Sequence, residues 1–384
     1  MQQFFRVDPL YAAIFSEVWM WNEWPKKGQV GDVGIDLVAQ HRATGEFFAI
    51  QCKFYLPEHT LSKGDIDSFF TALGKPQFSQ GIIVSTTDNW GKNALDALNQ
   101  TKSVARIGIS DLEQSPIDWS KFDTRKPGQL KRTKKNEIRP HQKAALDDVM
   151  AGLAGADRGK LIMACGTGKT FTALKIAETL APKLASNGKR SGKPGHVLFL
   201  VPSLSLMAQT LREWTAHADL PLQSLAVCSD ASIGKRREKN GDDSAEITLY
   251  DLPYPATTND KQLLAQYSAL IKAAQKSDGG PGLVVVVSTY QSIEAVSKAQ
   301  KAGLPAFDLI ICDEAHRTTG VTLIRSNRSP RSRLLRASSR NWARTWPSDI
   351  WESVFIGDCR FQLYPGVVGF LIIYSEYHVP RPAP

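Results

Sequence analysis

The segment KLIMACGTGKTFTALKIAETL, residues 160–180, constrains the fold more than any other stretch of the 384-residue chain. An apolar run gives way to a loop holding Gly166 and Gly168, and then to a helix-period pattern. Strand, tight glycine loop and helix in that order predict a parallel α/β sheet, with the loop at a carboxyl strand end. Loop amides at a helix N-terminus suit an anion, and Lys169 adds a point charge for phosphate. Thr167 sits between the glycines, and Thr170 can offer its hydroxyl to Mg²⁺. The strict phosphate-loop pattern is broken, because Met163 stands where its first glycine belongs.

A second segment, FDLIICDEAH, supplies what such a loop needs. Its apolar strand ends in Asp313 and Glu314, which puts two carboxylates where parallel sheets bind ligands. Asp313 is suited to holding Mg²⁺, directly or through water, and Glu314 to polarising an attacking water. HVLFLVPSLSLMAQTLREW reads as another strand and helix, and PGLVVVVSTYQSI as a further buried strand of the same sheet. IRPHQKAALDDVM reads as a helix, and the polar region 229–280 as an insertion with a helix at KQLLAQYSALIKAAQ.

ACGTGKT followed by DEAH resembles the first RecA-like domain of superfamily 2 helicases and DNA translocases. The resemblance covers residues 138–320, with five motifs in family order. It implies ATP and Mg²⁺ as cofactors and double-stranded DNA as partner. It also implies adenine reading by Gln142, coupling of the nucleotide site to motor motion by His316, and backbone contacts to DNA by Ser203, Gln209, Thr289 and Gln291.

The first part of the chain is an alternating α/β module. Leu10, Tyr11, Ile14, Phe15, Val18 and Trp19 are spaced as on a helix, which would carry Glu17. GIDLVAQ and FFAIQCKFY read as strands joined by a turn at Thr44-Gly45. KGDIDSFFTALG and NALDALNQT then read as helices, with QGIIVSTT and ARIGIS as strands. Period 2 puts Gln51 and Lys53 on one face of their strand and Phe48, Ile50, Cys52 and Phe54 on the other.

Asp36, fifteen residues before Gln51, can converge on the same site, and Glu17 could add a carboxylate. Phosphodiester hydrolysis needs hard oxygen ligands for Mg²⁺ and a cation near the attacking water. Asp36, Glu17 and the Cys52 carbonyl suit the first need, and Lys53 the second. The bland alternative has Lys53 snorkelling from a sheet edge and Asp36 in a turn. GDVGIDLVA followed by FFAIQCKFY resembles the Mrr-like branch of the PD-(D/E)xK nucleases over residues 15–115, in which glutamine replaces a glutamate. Gln51 then offers a neutral carbonyl oxygen. Asp32 reads as a turn residue, and Trp19, Trp21 and Trp24 as packing.

The expected layout is a restriction-endonuclease-like α/β domain over 1–118, a basic linker over 119–137 and a RecA-like P-loop domain over 138–320. The rest, 321–384, is a basic tail. Residues 317–384 hold ten Arg, no Lys and four acidic residues, net +6 of a total of +9. Neither a Ser-Ala-Thr strand nor a second motor lobe follows DEAH, so the tail reads either as foreign to the fold, as after a frameshift, or as a basic binding tail. The net charge suits a polyanion. Five scattered cysteines give no disulfide framework or zinc site, and GVVGFLIIY is too short to span a bilayer. The N-terminus lacks signal-peptide order, so the expected location is cytoplasmic, with no membrane and no obligate protein partner.

Nuclease and motor in this order resemble the N-terminal part of type ISP single-polypeptide restriction-modification enzymes. That implies DNA cleavage plus ATP-driven translocation, with turnover impaired in a chain lacking the second lobe. Two other readings stand beside it: a helicase-like protein with a non-cleaving DNA-binding module, and an inactive nucleotide- and DNA-binding fragment.

Overall fold

Asp8 decides how the chain begins. Its carboxylate accepts the Leu10 and Tyr11 amides at 3.0 and 3.3 Å, and Pro9 at the first helical position needs no amide partner. The helix so started is short, because pairing with a later strand takes over at Phe15. In this computed structural model, helices α1 (Gln2–Val7) and α2 (Pro9–Ile14) are followed by strands β1 (Phe15–Met20), β2 (Leu37–His41) and β3 (Phe47–Lys53). Then come α3 (Asp67–Leu73), β4 (Phe78–Ser85), α4 (Lys92–Leu98), β5 (Val104–Ile107) and α5 (Ile109–Gln114). The structure describes residues 1–28, 31, 34–98, 104–156, 158–187, 193–228, 251–253, 256–257, 259–274, 282–314, 353–356, 359–362 and 369–376.

β1 to β5 form one sheet in sequence order. β1/β2 and β2/β3 are antiparallel, whereas β3/β4 and β4/β5 are parallel. β3 is covered on both faces. Phe48 and Ile50 pack with Phe15, Leu37 and Ile82, and Ala49 packs with Val38, Phe69 and Ile83. The helix expected through Trp19 ends at Ile14, so Glu17 lies on strand β1 and not on a helix. Phe54 departs from expectation too. It is 89% exposed, because the sheet ends at Lys53 and the period-2 core face ends with it.

The span expected as a linker folds back instead. Ile117 bridges Arg132, the Asp118 amide donates to the Lys131 carbonyl at 2.9 Å, and Ile117 and Leu130 are buried. Arg132 donates through Nε to the Val7 carbonyl at 2.6 Å.

The second part runs α6 (Pro140–Ala154), β6 (Arg158–Ala164), α7 (Lys169–Asn187), β7 (Gly195–Val201), α8 (Leu204–His217) and β8 (Leu222–Val227). It continues through α9 (Asp260–Ala274), β9 (Leu283–Thr289), α10 (Ile293–Lys301) and β10 (Leu309–Asp313). A small hairpin, β11 (Ser353–Ile356) with β12 (Cys359–Gln362), precedes β13 (Gly369–Glu376). The sheet is parallel throughout, in the order β6-β13-β10-β7-β9-β8.

Within the span expected as a basic tail, one described strand, β13, joins the parallel sheet. Residues 369–376 lie between the glycine-loop strand and the DEAH strand and pair with both. Leu371 and Ile373 are fully buried there. Residues 315–352, which carry His316 and most of the arginine-rich stretch, lie outside the described residues.

The two sheets are joined by contacts as well as by chain. One apolar cluster runs from Phe4 and Tyr11 through Leu112 and Leu130 to Met207, Trp214 and Ile311. The Tyr11 hydroxyl donates to the Pro253 carbonyl at 2.9 Å, Arg212 meets Asp111 at 2.6 Å, and Arg106 pairs with Asp251.

Candidate active sites

The nuclease candidates gather where β3 leaves its sheet. The Asp36 amide donates to the Ile50 carbonyl, and the β2–β3 register continued by one residue sets Asp36 opposite Gln51. Residues opposed in this way share a sheet face. The Asp36 carboxylate accepts the Cys52 amide at 2.7 Å through Oδ2. Gln51 is 3% exposed and donates through Nε2 to the Gly34 carbonyl at 3.0 Å. Its Oε1 is buried with no hydrogen-bond partner. A buried amide oxygen left bare costs about 1–3 kcal/mol, so the site stores a demand for a donor or a cation.

Lys53 follows, half-buried, its carbonyl accepting the Thr86 amide at 3.1 Å. Glu17 is not part of this group. It faces Gln40, four residues along β2 from Asp36, a separation of roughly 13 Å at the rise of a strand. Asp32 lies outside the described residues.

Among the described residues there is no cluster of three His, Cys, Asp or Glu side chains able to hold a metal. The donor set at Asp36 is one carboxylate, one bare amide oxygen and nearby main-chain carbonyls. That set fits Mg²⁺, which keeps several waters and takes phosphate oxygens as its remaining ligands. Burial, reinforced by the Asp36 carboxylate, pushes the Cys52 thiol up to about 12, which removes it as a nucleophile.

The nucleotide candidates gather at the carboxyl edge of the parallel sheet. Gly166 and Gly168 adopt φ of +76° and +80°, the left-handed turn that bends β6 into α7. Around this turn Gln142 acts as a brace. It is 4% exposed, its Oε1 accepts the Arg139 amide at 2.9 Å, and its Nε2 donates to the Thr167 carbonyl at 3.0 Å. His141 reaches the same carbonyl at 3.1 Å. Both ends of the Gln142 amide are thus engaged within the protein, which makes it a holder of the loop. The Thr167 hydroxyl donates to the Ala164 carbonyl at 2.7 Å.

Lys169 Nζ lies 3.7 Å from Glu314 Oε1, with both side chains little exposed. Asp313 is 5% exposed, and its carbonyl accepts the Tyr290 hydroxyl at 2.7 Å. Glu314, at φ +49°, is the one non-glycine in the left-handed region among the described residues. Strain of this kind collects at functional turns, and here the Glu314 amide is fixed to the Ile373 carbonyl of β13 at 3.0 Å. The Thr170 carbonyl accepts the Trp214 indole N–H at 2.9 Å, which ties the loop to α8.

The DNA-contact candidates share this edge. Ser203 caps α8 through the Leu206 amide, and Gln209 is exposed on the same helix. Thr289 pairs with Val201 across the β7–β9 register, and its buried hydroxyl lies 2.8 Å from that of Ser292. Gln291 is exposed beside it. The sequence reading missed the contacts of Arg212, Asp111 and Tyr11, which join the two sheets, and that of Trp214, which ties the glycine loop to α8. Only a three-dimensional contact gives these scattered residues meaning, so no local signal marked them.

Residues 6–129 match a restriction endonuclease family of the Mrr type, and residues 135–334 match the family of the type III restriction enzyme res subunit. Among solved structures, the chain is similar to the ATP-dependent type ISP restriction-modification enzyme LlaBIII bound to DNA. The two share 39% identity with a TM-score of 0.70, over 83% of this chain and 19% of that one. It is also 43% identical to a nuclease-deletion mutant of the type ISP enzyme LlaGI in complex with a DNA substrate mimic. That match covers 48% of this chain and 13% of the other with a TM-score of 0.37, too low to bear on the fold. The chain therefore spans about one fifth of the length of LlaBIII. Comparison with curated proteins finds no match. No helix among the described residues is long and apolar enough to cross a membrane. The chain belongs to the family of the type III restriction enzyme res subunit and fuses to that helicase domain an Mrr-like nuclease domain, matching part of the type ISP restriction-modification enzymes.

Proposed function

We propose that this chain is a DNA-cleaving and ATP-binding unit of a restriction system, with double-stranded DNA as its substrate. The single observation that carries the reading is the bare, buried Oε1 of Gln51, which stands opposite Asp36 in the strand register and two residues before Lys53 on the same strand face. Asp36, Gln51 and the Cys52 carbonyl would hold Mg²⁺, which when bound supplies charge for a phosphate and an acidified water. Lys53 offers a cation to the attacked phosphate oxygens. Gly34 fixes the Gln51 amide so that its oxygen, rather than its nitrogen, faces the site.

At the second site Lys169 and the loop amides would receive the nucleotide phosphates. Asp313 and Thr170 would hold its Mg²⁺, and Glu314 would orient water. Lys169 lies 3.7 Å from Glu314, and nucleotide phosphates would offer it a stronger charge-assisted contact. The favoured nuclease reading is tested with supercoiled plasmid in Mg²⁺. The chain converts it to nicked or linear DNA, and Asp36→Ala and Lys53→Ala each abolish conversion while keeping the melting temperature. No conversion by the wild-type chain would leave the non-cleaving DNA-binding reading in its place, and unchanged conversion in both variants would remove Asp36 and Lys53 from the cleavage site.

A further inference from the structure

Past Lys53 the chain continues as Phe54-Tyr55-Leu56, and its side chains alternate sharply. Tyr55 turns inward, stacks on His59 with ring centroids 4.0 Å apart, and donates its hydroxyl to Asp65 at 2.8 Å. Phe54 and Leu56 point into solvent, 89% and 76% exposed. No other large apolar side chain among the described residues is as exposed as these two.

The segment is rigid where it displays them. The Tyr55 amide donates to Thr86 Oγ1 at 2.8 Å, and that hydroxyl donates back to the Tyr55 carbonyl at 2.6 Å. The Thr87 hydroxyl reaches the Pro57 and His59 carbonyls at 3.0 and 2.8 Å. Asn89 donates to the Pro57 carbonyl at 2.9 Å, and Leu61, fully buried, anchors the far end. A loose loop could fold its apolar groups back onto the protein. This one holds Phe54 outward, one residue from the candidate catalytic lysine, about 3.8 Å from Cα to Cα.

Two exposed apolar side chains, followed in the chain by exposed Pro57, Glu58, Thr60 and Lys63, are only a small part of the roughly 800 Å² a side that a protein partner needs. An outward aromatic ring on a braced segment, one residue along the chain from the candidate catalytic lysine, suits insertion into a base stack, where apolar wedges kink the duplex. We propose that Phe54, backed by Leu56, is a wedge that unstacks a base step of double-stranded DNA next to the phosphate attacked at Asp36, Gln51 and Lys53. The inference rests on the nuclease reading and adds to it a cleavage preference for steps that unstack easily, such as TA and CA/TG.

The test uses the full chain on a duplex carrying 2-aminopurine, with Ca²⁺ in place of Mg²⁺ to follow binding without cleavage. The wild-type chain raises the fluorescence at one step, and Phe54→Ala loses the rise while Phe54→Trp keeps it. In Mg²⁺, Phe54→Ala cuts intact duplex about tenfold more slowly, yet cuts a duplex already unstacked by a mismatch at the wild-type rate. Its melting temperature stays at the wild-type value, because the ring is in water. The wedge is overturned if Phe54→Ala keeps both the fluorescence rise and the duplex rate, or slows both duplexes equally. A wild-type chain that cuts nothing in Mg²⁺ ends the nuclease reading alone, and the fluorescence arm then decides the wedge by itself.

Discussion

Gly168→Ala isolates what the Gln142 brace does. At φ +80° an alanine adopts a left-handed backbone at a cost of about 1–2 kcal/mol. Its Cβ would also sit 2.5 Å from Gln142 Nε2, so the buried amide must leave the Thr167 carbonyl. Displacing a buried, hydrogen-bonded amide costs about 1–3 kcal/mol more. Together these come to about 2–5 kcal/mol, felt at the first turn of α7, where the Thr172 amide donates to the Gly168 carbonyl at 2.9 Å. Native-state hydrogen exchange reads this directly. Protection of the Thr172 amide should fall by roughly thirty- to several-thousand-fold, at 1.4 kcal/mol per decade. Gly166→Ala is the control. It shares the positive φ, with nothing within 4 Å of its Cβ, so it should show only the smaller backbone cost. Adding Gln142→Ala to Gly168→Ala should restore part of the protection, since the clash is removed. Equal losses in the two glycine variants, or simple additivity with Gln142→Ala, would refute the brace.

Deleting residues 369–384 should abolish nucleotide binding in a calorimetric titration, because among the described residues β13 is the strand that joins β6 to β10; full-strength binding by the shortened chain would count against the sheet order. The Arg212→Ala, Asp111→Ala double-mutant cycle should give a coupling of about 0.2–1 kcal/mol in urea unfolding, as expected for a partly exposed ion pair, and no coupling would mean that the contact is idle. His41 is held neutral, its titration lowered to about 4 by burial and then by Arg42. The unfolded chain binds a proton near 6.5, so stability is full above that pH and lost as pH falls from 6.5 towards 4. His41→Gln should flatten that slope in denaturation curves.

What the sequence disclosed depended on how local the cause was. The glycine loop, its lysine and the DEAH strand are local events, and each lies where its residues predict. Asp36 and Gln51 were also readable, since alternation and spacing set them on neighbouring strands. Glu17 was misassigned because apolar residues at helical spacing also fit a short capped helix followed by a strand. Only pairing with β2, more than twenty residues on, decides between them. Phe54 was placed in the core because periodicity does not reveal where a sheet stops. The apolar run GFLIIY was visible, but its seat between two strands more than fifty residues upstream is a property of the assembled sheet.

The central claim is that one chain carries two separate chemical centres, and a crossed comparison of two lysines measures it most directly. Plasmid cleavage in Mg²⁺ without ATP, and binding of a fluorescent ATP analogue, are recorded for Lys53→Ala and Lys169→Ala. Lys53→Ala should lose cleavage and bind nucleotide as the wild type does, and Lys169→Ala should do the reverse. Loss of both activities in either variant, or cleavage surviving Lys53→Ala, would contradict the account.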